Sequence, residues 1–252
     1  MPAPRNPLKS ALSQGRLQRG LWLNLSSALV AEMAGQAGFD WCLIDGEHGP
    51  WDPSAIRAQL IALEGTGTAP VVRVPTDADW ILKQVLDLGV QSVLVPMVHS
   101  ADQARAVVRG LRCPPDGVRG QGAMVARASG FGAIADYAET ANDQICCLVQ
   151  AESRAALDDL DAIAAVDGVD AVFIGPADLA ADMGLSIDAP DLRKAIAGAI
   201  PRIRAAGKAA GIICPDADFA HYTGLGVTFL GMGSDAMLLQ AALARLAATE
   251  IP

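Results

Sequence analysis

Four stretches of this 252-residue chain set an apolar run against a residue able to move a proton or hold an ion. Ile44-Asp45-Gly46-Glu47-His48-Gly49 follows the run from Phe39 and precedes the turn-like Pro50-Trp51-Asp52-Pro53. Val71-Val72-Arg73, Leu148-Val149-Gln150-Ala151-Glu152 and Phe173-Ile174-Gly175-Pro176-Ala177-Asp178 repeat the pattern. Each reads as a core strand that stops on a polar side chain. In parallel α/β proteins the carboxyl ends of the strands are where ligands bind. Glu152 and Asp178 close consecutive strand candidates, and neighbouring strands lie about 4.8 Å apart. The two carboxylates can therefore converge on one hard cation. With waters and a bidentate ligand they suit octahedral Mg²⁺, Mn²⁺ or Co²⁺ and are too poor in nitrogen and sulfur for structural zinc. Either acid taken alone reads equally as a first-turn helix acid favoured by the helix dipole.

Asp45 and His48 stand three residues apart at one strand end. A carboxylate beside an imidazole orients it and raises its basicity, which is the arrangement of a general acid/base. Arg73 ends the next strand. There it can neutralise a developing oxyanion or form a salt bridge to Asp45 or Glu47. After Gly175-Pro176, the N–H groups of Ala177 and Asp178 open a helical turn and can hold a carboxylate, although an ordinary strand-to-helix turn has the same sequence. His99 and His221 sit beside helix-like stretches and read as non-catalytic. Trp22, Trp51 and Trp80 read either as core or interface packing or as pocket walls, with Trp22 placed nearest the substrate. Lys83, Lys194 and Lys208 fall in or near helical stretches, so no lysine is placed for a Schiff base.

The elements that must carry these residues alternate. Strands are expected at 21–25, 41–45, 71–74, 92–96, 145–151, 171–174, 209–213 and 229–231. Amphipathic helices are expected at 54–63, 79–88, 101–111, 153–165, 191–206 and 235–249. Gly38, Gly89, Gly207 and Gly226 fit helix C-caps ahead of the next strand. Eight strand-then-helix units of about 31 residues each predict an α/β fold, a single-domain (β/α)₈ TIM barrel. Residues 1–20 are expected to be an N-terminal extension. Residues 113–142 are expected to form a long loop near the active site or a subunit interface.

Composition narrows the function. A net charge of −9 and an isoelectric point near 4.7 argue against nucleic-acid binding. The five cysteines show no metal or redox spacing and read mostly as small buried hydrophobes suited to a reducing cytoplasm. No uninterrupted apolar run is long enough for a membrane span, and the first twenty residues lack the apolar segment of a secretory signal.

Taken together, Asp45-Gly46-Glu47-His48-Gly49, Arg73-Val74-Pro75, Gln150-Ala151-Glu152 and Gly175-Pro176-Ala177-Asp178-Leu179 resemble the HpcH/HpaI family. The resemblance runs from about Leu21 to Ala247 and is strongest to the metal-dependent class II pyruvate aldolases of the 4-hydroxy-2-oxoheptanedioate aldolase type. It implies a carbon–carbon lyase that reversibly cleaves 4-hydroxy-2-oxo acids to pyruvate and an aldehyde through a metal-stabilised pyruvate enolate, with no organic cofactor. It implies Glu152 and Asp178 as metal ligands, and Gln150 and the Ala177 backbone as the hold on pyruvate. His48 would be the acid/base and Arg73 the oxyanion partner. Asp87 matches the family acid that tunes the histidine, a role resting on the resemblance alone, since the residue pattern places Asp87 near the end of a surface helix. The resemblance also implies a homo-oligomer, a hexamer built as a trimer of dimers with a helix exchanged between partners. Two other readings stay open: an acyl-CoA lyase of the citrate lyase β or malyl-CoA lyase type, and a non-catalytic barrel. The sequence leaves the aldehyde open, with Trp22, Met97 and Cys214-Pro215 as its expected surroundings.

Overall fold

The structure, a computed structural model, describes residues 1–249. Eight parallel strands, β1 (Gln18–Leu23), β2 (Trp41–Asp45), β3 (Ala69–Arg73), β4 (Ser92–Val95), β5 (Cys146–Ala151), β6 (Val169–Ile174), β7 (Ala209–Ile213) and β8 (Val227–Ser234), pair in sequence order and close β8 onto β1. Helix α1 (Pro7–Ser13) precedes the barrel. Then α2 (Ala28–Gln36), α3 (Pro53–Leu63), α4 (Asp79–Asp87) and α5 (Ala101–Leu111) follow the first four strands. Short α6 (Tyr137–Thr140) lies in the long connection to β5. The second half carries α7 (Arg154–Asp158), α8 (Leu160–Ala165), α9 (Pro176–Met183), α10 (Pro190–Ala205), α11 (Phe219–Gly224) and α12 (Asp235–Ala247). This is the (β/α)₈ barrel that the alternation of apolar runs predicts.

Strand alternation sorts the core into two shells. Trp41, Leu43, Val71, Leu94, Cys146, Leu148, Phe173 and Phe229 fill the barrel. Cys42, Ile44, Val72, Val93, Cys147, Val149, Val172 and Ile174 face the helices. The same parity continues upward: Asp45 follows Trp41 and Leu43, Arg73 follows Val71, and Gln150 follows Cys146 and Leu148. The topmost inward layer is therefore polar, and it is the layer that meets solvent at the mouth. Below it, aromatic rings occupy space left by glycine. Trp41 lies 4.2 Å from Phe229 and 5.6 Å from Trp22, centroid to centroid. Gly211 admits Phe173 and Phe229, and Gly20 lies directly against the Trp41 indole.

The extension is more ordered than its polar sequence suggests. Asn6 caps α1 through Lys9 N, and Leu8 and Leu12, one turn apart, join the barrel-filling cluster. Thus α1 closes the lower end of the barrel, and residues 18–20 of the expected extension already belong to β1. Strand β1 ends at Leu23 rather than Leu25 because the N–H groups of Asn24 and Leu25 turn to the Asp235 carboxylate, at 2.8 and 3.2 Å. The helix expected over 153–165 breaks at Asp159, whose side chain accepts the Ala101 N–H at 2.7 Å. The spacing overlooked α1, α2, α9 and α11, which are short or have an apolar stripe diluted by alanine. The 113–142 connection packs against the N-terminal segment, with Ala3, Tyr137 and Ala141 in one cluster. It also packs against the end of α4, where Arg127 Nη1 donates to the Leu88 carbonyl at 2.9 Å. Both contacts lie at the end of the barrel opposite the mouth, so within the chain this loop is not near the active site.

Replacing Gly20 by alanine puts a methyl group into the Trp41 ring. Gly20→Ala is expected to cost about 3 kcal/mol, the upper range for core overpacking, measured by urea unfolding.

Candidate active site

Asp45 and Arg73 are paired across β2 and β3 in register. Their side chains form a two-pronged ion pair, Nε to Oδ1 at 2.8 Å and Nη2 to Oδ2 at 2.6 Å. Glu47 takes a third donor, with Nη1 to Oε2 at 2.7 Å. Asp45 and Arg73 are both buried. Burial works against the Arg73 charge, but Asp45 and Glu47 outweigh it and raise the guanidinium pKa further. Arg73 stands 5.8 Å over the Trp22 ring, and Trp22 is itself 5% exposed. Trp22 is thus the floor on which Arg73 rests. Of the five guanidinium N–H donors, three are engaged, which leaves two for a ligand.

Asp45 also organises the loop that follows it. Its Oδ1 accepts the backbone N–H groups of Glu47 and His48, at 3.1 and 3.4 Å, and its Oδ2 accepts Asn24 Nδ2 at 2.6 Å. The expected Asp45–His48 side-chain pair is therefore not formed, because the Arg73 fork and Asn24 take the carboxylate and only the His48 backbone bonds to it. The His48 ring is exposed at the mouth and has no side-chain hydrogen bond among the described residues. Asn24 and Asp235 escaped the sequence reading. Asn24 lies just past β1, the same strand-end signal that singled out Arg73, while Asp235 opens a helix and looks like an ordinary dipole acid.

Across the barrel, Glu152 is 2% exposed. Its Oε1 accepts the Met97 N–H at 2.8 Å and its Oε2 accepts Gln150 Nε2 at 2.7 Å. Burial pushes its carboxyl up to about 7, against the Met97 hydrogen bond that lowers it, and the charges of Asp178 and Glu47 push it further up. Glu47 is raised as well, by burial first and by Asp45 and Asp178 among its neighbours. These mutual effects place Glu47, Glu152 and Asp178 around one space. Gly175 makes the arrangement possible, since any Cβ there would strike the Glu152 carboxylate. The Asp178 side chain is exposed and makes no hydrogen bond among the described residues. Asp178 is the third residue of α9, after Pro176 and Ala177, and the first intrahelical bond of that turn is Leu179 N to Gly175 O at 3.1 Å. The Gln150 Oε1 is buried without a partner, an acceptor that a hydrogen-bond donor in the mouth would satisfy.

The mouth thus holds four carboxylates, of Asp45, Glu47, Glu152 and Asp178, facing one buried guanidinium. Among the described residues no three His, Cys, Asp or Glu side chains converge as a ready-made metal cage. The donor set that fits a cation is the all-oxygen pair Glu152 and Asp178, which suits a hard ion that keeps water ligands. Asp87 is not brought to this site within the chain. It ends α4 at the far end of the barrel, where its Oδ1 accepts Arg119 Nη2 at 2.9 Å. His99 Nδ1 bonds Ser153 Oγ at 2.8 Å and His221 packs against Tyr222, so neither enters the mouth. All five cysteines are free and buried.

A closed parallel barrel whose polar upper mouth sets four carboxylates against one buried arginine has the form of a (β/α)₈ enzyme active site. The chain belongs to the HpcH/HpaI aldolase/citrate lyase family, whose model matches residues 18–242. It is 55% identical to the hydroxypyruvate/pyruvate aldolase of Agrobacterium fabrum over 93% of this chain and 90% of that protein. It is 49% identical to a 4-hydroxy-2-oxo-heptane-1,7-dioate aldolase of Shigella sonnei, over 96% of this chain and 94% of that one. A crystal structure of a family member from Burkholderia cenocepacia superposes with a TM-score of 0.92 at 38% identity, covering 96% of this chain and 98% of that one.

Asp45→Asn removes the charge that faces buried Arg73. It is expected to cost about 3 kcal/mol, as breaking a buried ion pair does, and more than Glu47→Gln, whose partner retains Asp45. Chemical denaturation of both variants checks the order. A larger loss in the Glu47 variant would make Glu47 the principal counter-ion.

Proposed function

We propose that this chain is a class II pyruvate aldolase that cleaves 4-hydroxy-2-oxo acids to a 2-oxo acid and an aldehyde, and runs the reverse condensation. The observation that carries this reading is the pairing of Glu152 and Asp178 at neighbouring strand ends, opposite a locked Arg73 with two donors to spare. The names of relatives at about half identity support it, and they extend the donor from pyruvate to hydroxypyruvate. Both donors would lose a proton at C3 beside the same 2-oxo carboxylate.

Glu152 and Asp178 would hold a divalent cation, Mg²⁺, Mn²⁺ or Co²⁺, which when bound supplies Lewis acidity toward the 2-oxo acid. The residues of the chain do the rest. The Ala177 and Asp178 N–H groups and the Gln150 amide orient the donor carboxylate at the start of α9. Arg73, rigid on Asp45, Glu47 and the Trp22 face, points its free N–H groups at the oxygen where negative charge grows. Condensation breaks a donor C3–H bond, whose proton passes through water to His48, and forms the bond from C3 to the aldehyde carbon, while the carbonyl electron pair moves onto oxygen and takes up a proton. His48, exposed at the mouth and anchored through its backbone, is placed to deliver that proton and to take it back in cleavage. Asp87 can tune such a histidine only in another copy of the chain.

An oligomer fits the outer surface. From Met237 onward α12 is exposed along its whole length, with Leu239, Leu243 and Leu246 between 49% and 72% exposed. Leu29 and Met33 of α2 are exposed as well. An exchanged α12 between two copies would cover both, in keeping with a hexamer built as a trimer of dimers. Among the described residues no helix is long and apolar enough to cross a membrane. Five buried free thiols suit a cytoplasmic protein.

Exchange of the pyruvate methyl protons in D₂O, followed by NMR, is expected only when Mg²⁺ or Mn²⁺ is restored to chelated enzyme. Glu152→Ala and Asp178→Ala should abolish the exchange with the fold intact by circular dichroism. His48→Ala should lower aldol turnover by about 10²-fold or more while pyruvate binding persists. Full activity in the Asp178 variant, or exchange without metal, would defeat the reading.

A further inference from the structure

Beside the mouth, between the ends of β6 and β7, lies a second cavity of about 210 Å³. It begins at Pro176 and Ala177, adjacent to Asp178, and continues past Ile213, Cys214 and Pro215 to α10 and α11. Ile213 belongs to both spaces. A Cβ built on Gly231 would meet Trp22 at 2.9 Å and Ile213 at 3.0 Å, so Ile213 stands beside the Trp22 floor of the mouth. The inner walls are uncharged, with Ile196 and Tyr222 among them. Burial pushes the Cys214 thiol up to about 12, which keeps it neutral. Ile187, 52% exposed, forms the outer lip.

Charge appears only at the rim, where Arg193 is paired with Asp218. Arg193 Nη1 and Nη2 donate to the two carboxylate oxygens of Asp218, at 3.1 and 3.4 Å. Asp188 also lines the cavity and lies close enough to favour the Arg193 charge. Two carboxylates against one guanidinium leave the rim with an excess negative charge. A ligand carrying its own terminal carboxylate meets net repulsion there, because Asp218 and Asp188 together outweigh the single Arg193 charge. A neutral alkyl or aryl tail meets isoleucine, tyrosine and a neutral thiol, and is favoured by burial.

We propose that this cavity is the subsite for the tail of the aldehyde acceptor, selecting uncharged apolar tails, and that Asp218 determines this selectivity by holding Arg193 away from a terminal carboxylate. The assignment rests on the aldolase reading above and names the acceptor class for that same mouth. Donor and acceptor then divide the mouth: the 2-oxo acid sits over Glu152 and Asp178, and the acceptor tail leaves past Ala177 toward Ile187.

The test uses Mn²⁺-loaded enzyme, with pyruvate as donor and three acceptors: pentanal, succinic semialdehyde and glycolaldehyde. The first two are similar in length and differ in the terminal charge, and the third is too short to enter the cavity. The unmodified enzyme should favour pentanal over succinic semialdehyde by about tenfold or more in kcat/KM, the scale of one specific contact. Asp218→Asn should shrink that preference about tenfold, mainly through the KM for succinic semialdehyde. The gain should vanish in the Asp218→Asn, Arg193→Met double variant, an outcome that a merely structural Asp218 would not produce. Ile187→Trp, at an exposed lip, should raise the KM for pentanal and leave both glycolaldehyde turnover and pyruvate methyl exchange unchanged. Equal slowing of pentanal and glycolaldehyde by Ile187→Trp, or an unchanged preference in Asp218→Asn, would overturn the subsite alone. Absence of methyl exchange in the unmodified enzyme would overturn the aldolase reading and the subsite with it.

Discussion

The buried ion pair between Asp45 and Arg73 is the contact on which the mouth of this barrel depends. Two charges taken out of water are stable only if every remaining donor and acceptor is matched. Here the matching partners are the site itself. Asp45 accepts the side chain of Asn24 and the backbone N–H groups of Glu47 and His48, so satisfying its charge shapes the loop that carries His48. Arg73 turns its third donor to Glu47 and rests on Trp22. The network reaches further, because the backbone of Asn24 is held by Asp235 at the end of β8. Strands β1, β2, β3 and β8 are thereby tied together at one rim.

The opposite rim is built on a different principle. Glu152 is buried beside Asp178 and Glu47 without a matching cation of its own, and its carboxyl is pushed up to about 7. Its two hydrogen bonds, from Met97 and Gln150, hold it in place without cancelling the surplus charge. One rim is thus electrostatically complete and rigid, while the other is preorganised and short of positive charge. That asymmetry suits the metal-assisted reaction proposed above, which would use a fixed cationic donor on one side and an oxygen-rich seat for a divalent ion on the other. A cavity with an uncharged inner lining then opens past Ala177, next to Asp178.

Much of this was legible in the residue order. All eight strands were, because parallel strands buried on both faces read as unbroken apolar runs. Of the residues expected in the site, Asp45, His48, Arg73, Gln150, Glu152, Ala177 and Asp178 do lie around the mouth, with Trp22 beneath Arg73. Asp87 does not, for a reason visible in the topology. It closes a helix that runs away from the mouth, and only its resemblance to a family position had suggested otherwise. Helix α1 was hidden because two leucines one turn apart carry little signal among lysine, serine and glutamine. Asn24 was overlooked although it obeys the strand-end rule, because β1 was expected to run two residues too far.

What the sequence determined by itself is parity. Once Trp41, Leu43, Val71, Cys146 and Leu148 point into the barrel, a period of two obliges Asp45, Arg73 and Gln150 to do the same one layer higher. The chemistry of the mouth is thus written into each strand separately. What the tertiary structure decided is partnership. Whether the Asp45 carboxylate turns to the His48 ring or to Arg73 depends on inter-strand register, which sets Asp45 directly opposite Arg73. Whether Arg193 is free for a ligand depends on the loop after β7 bringing Asp218 within hydrogen-bond reach. Alternation is a local property of the chain. Pairing depends on distances between segments far apart in it, and only closure of the barrel sets those.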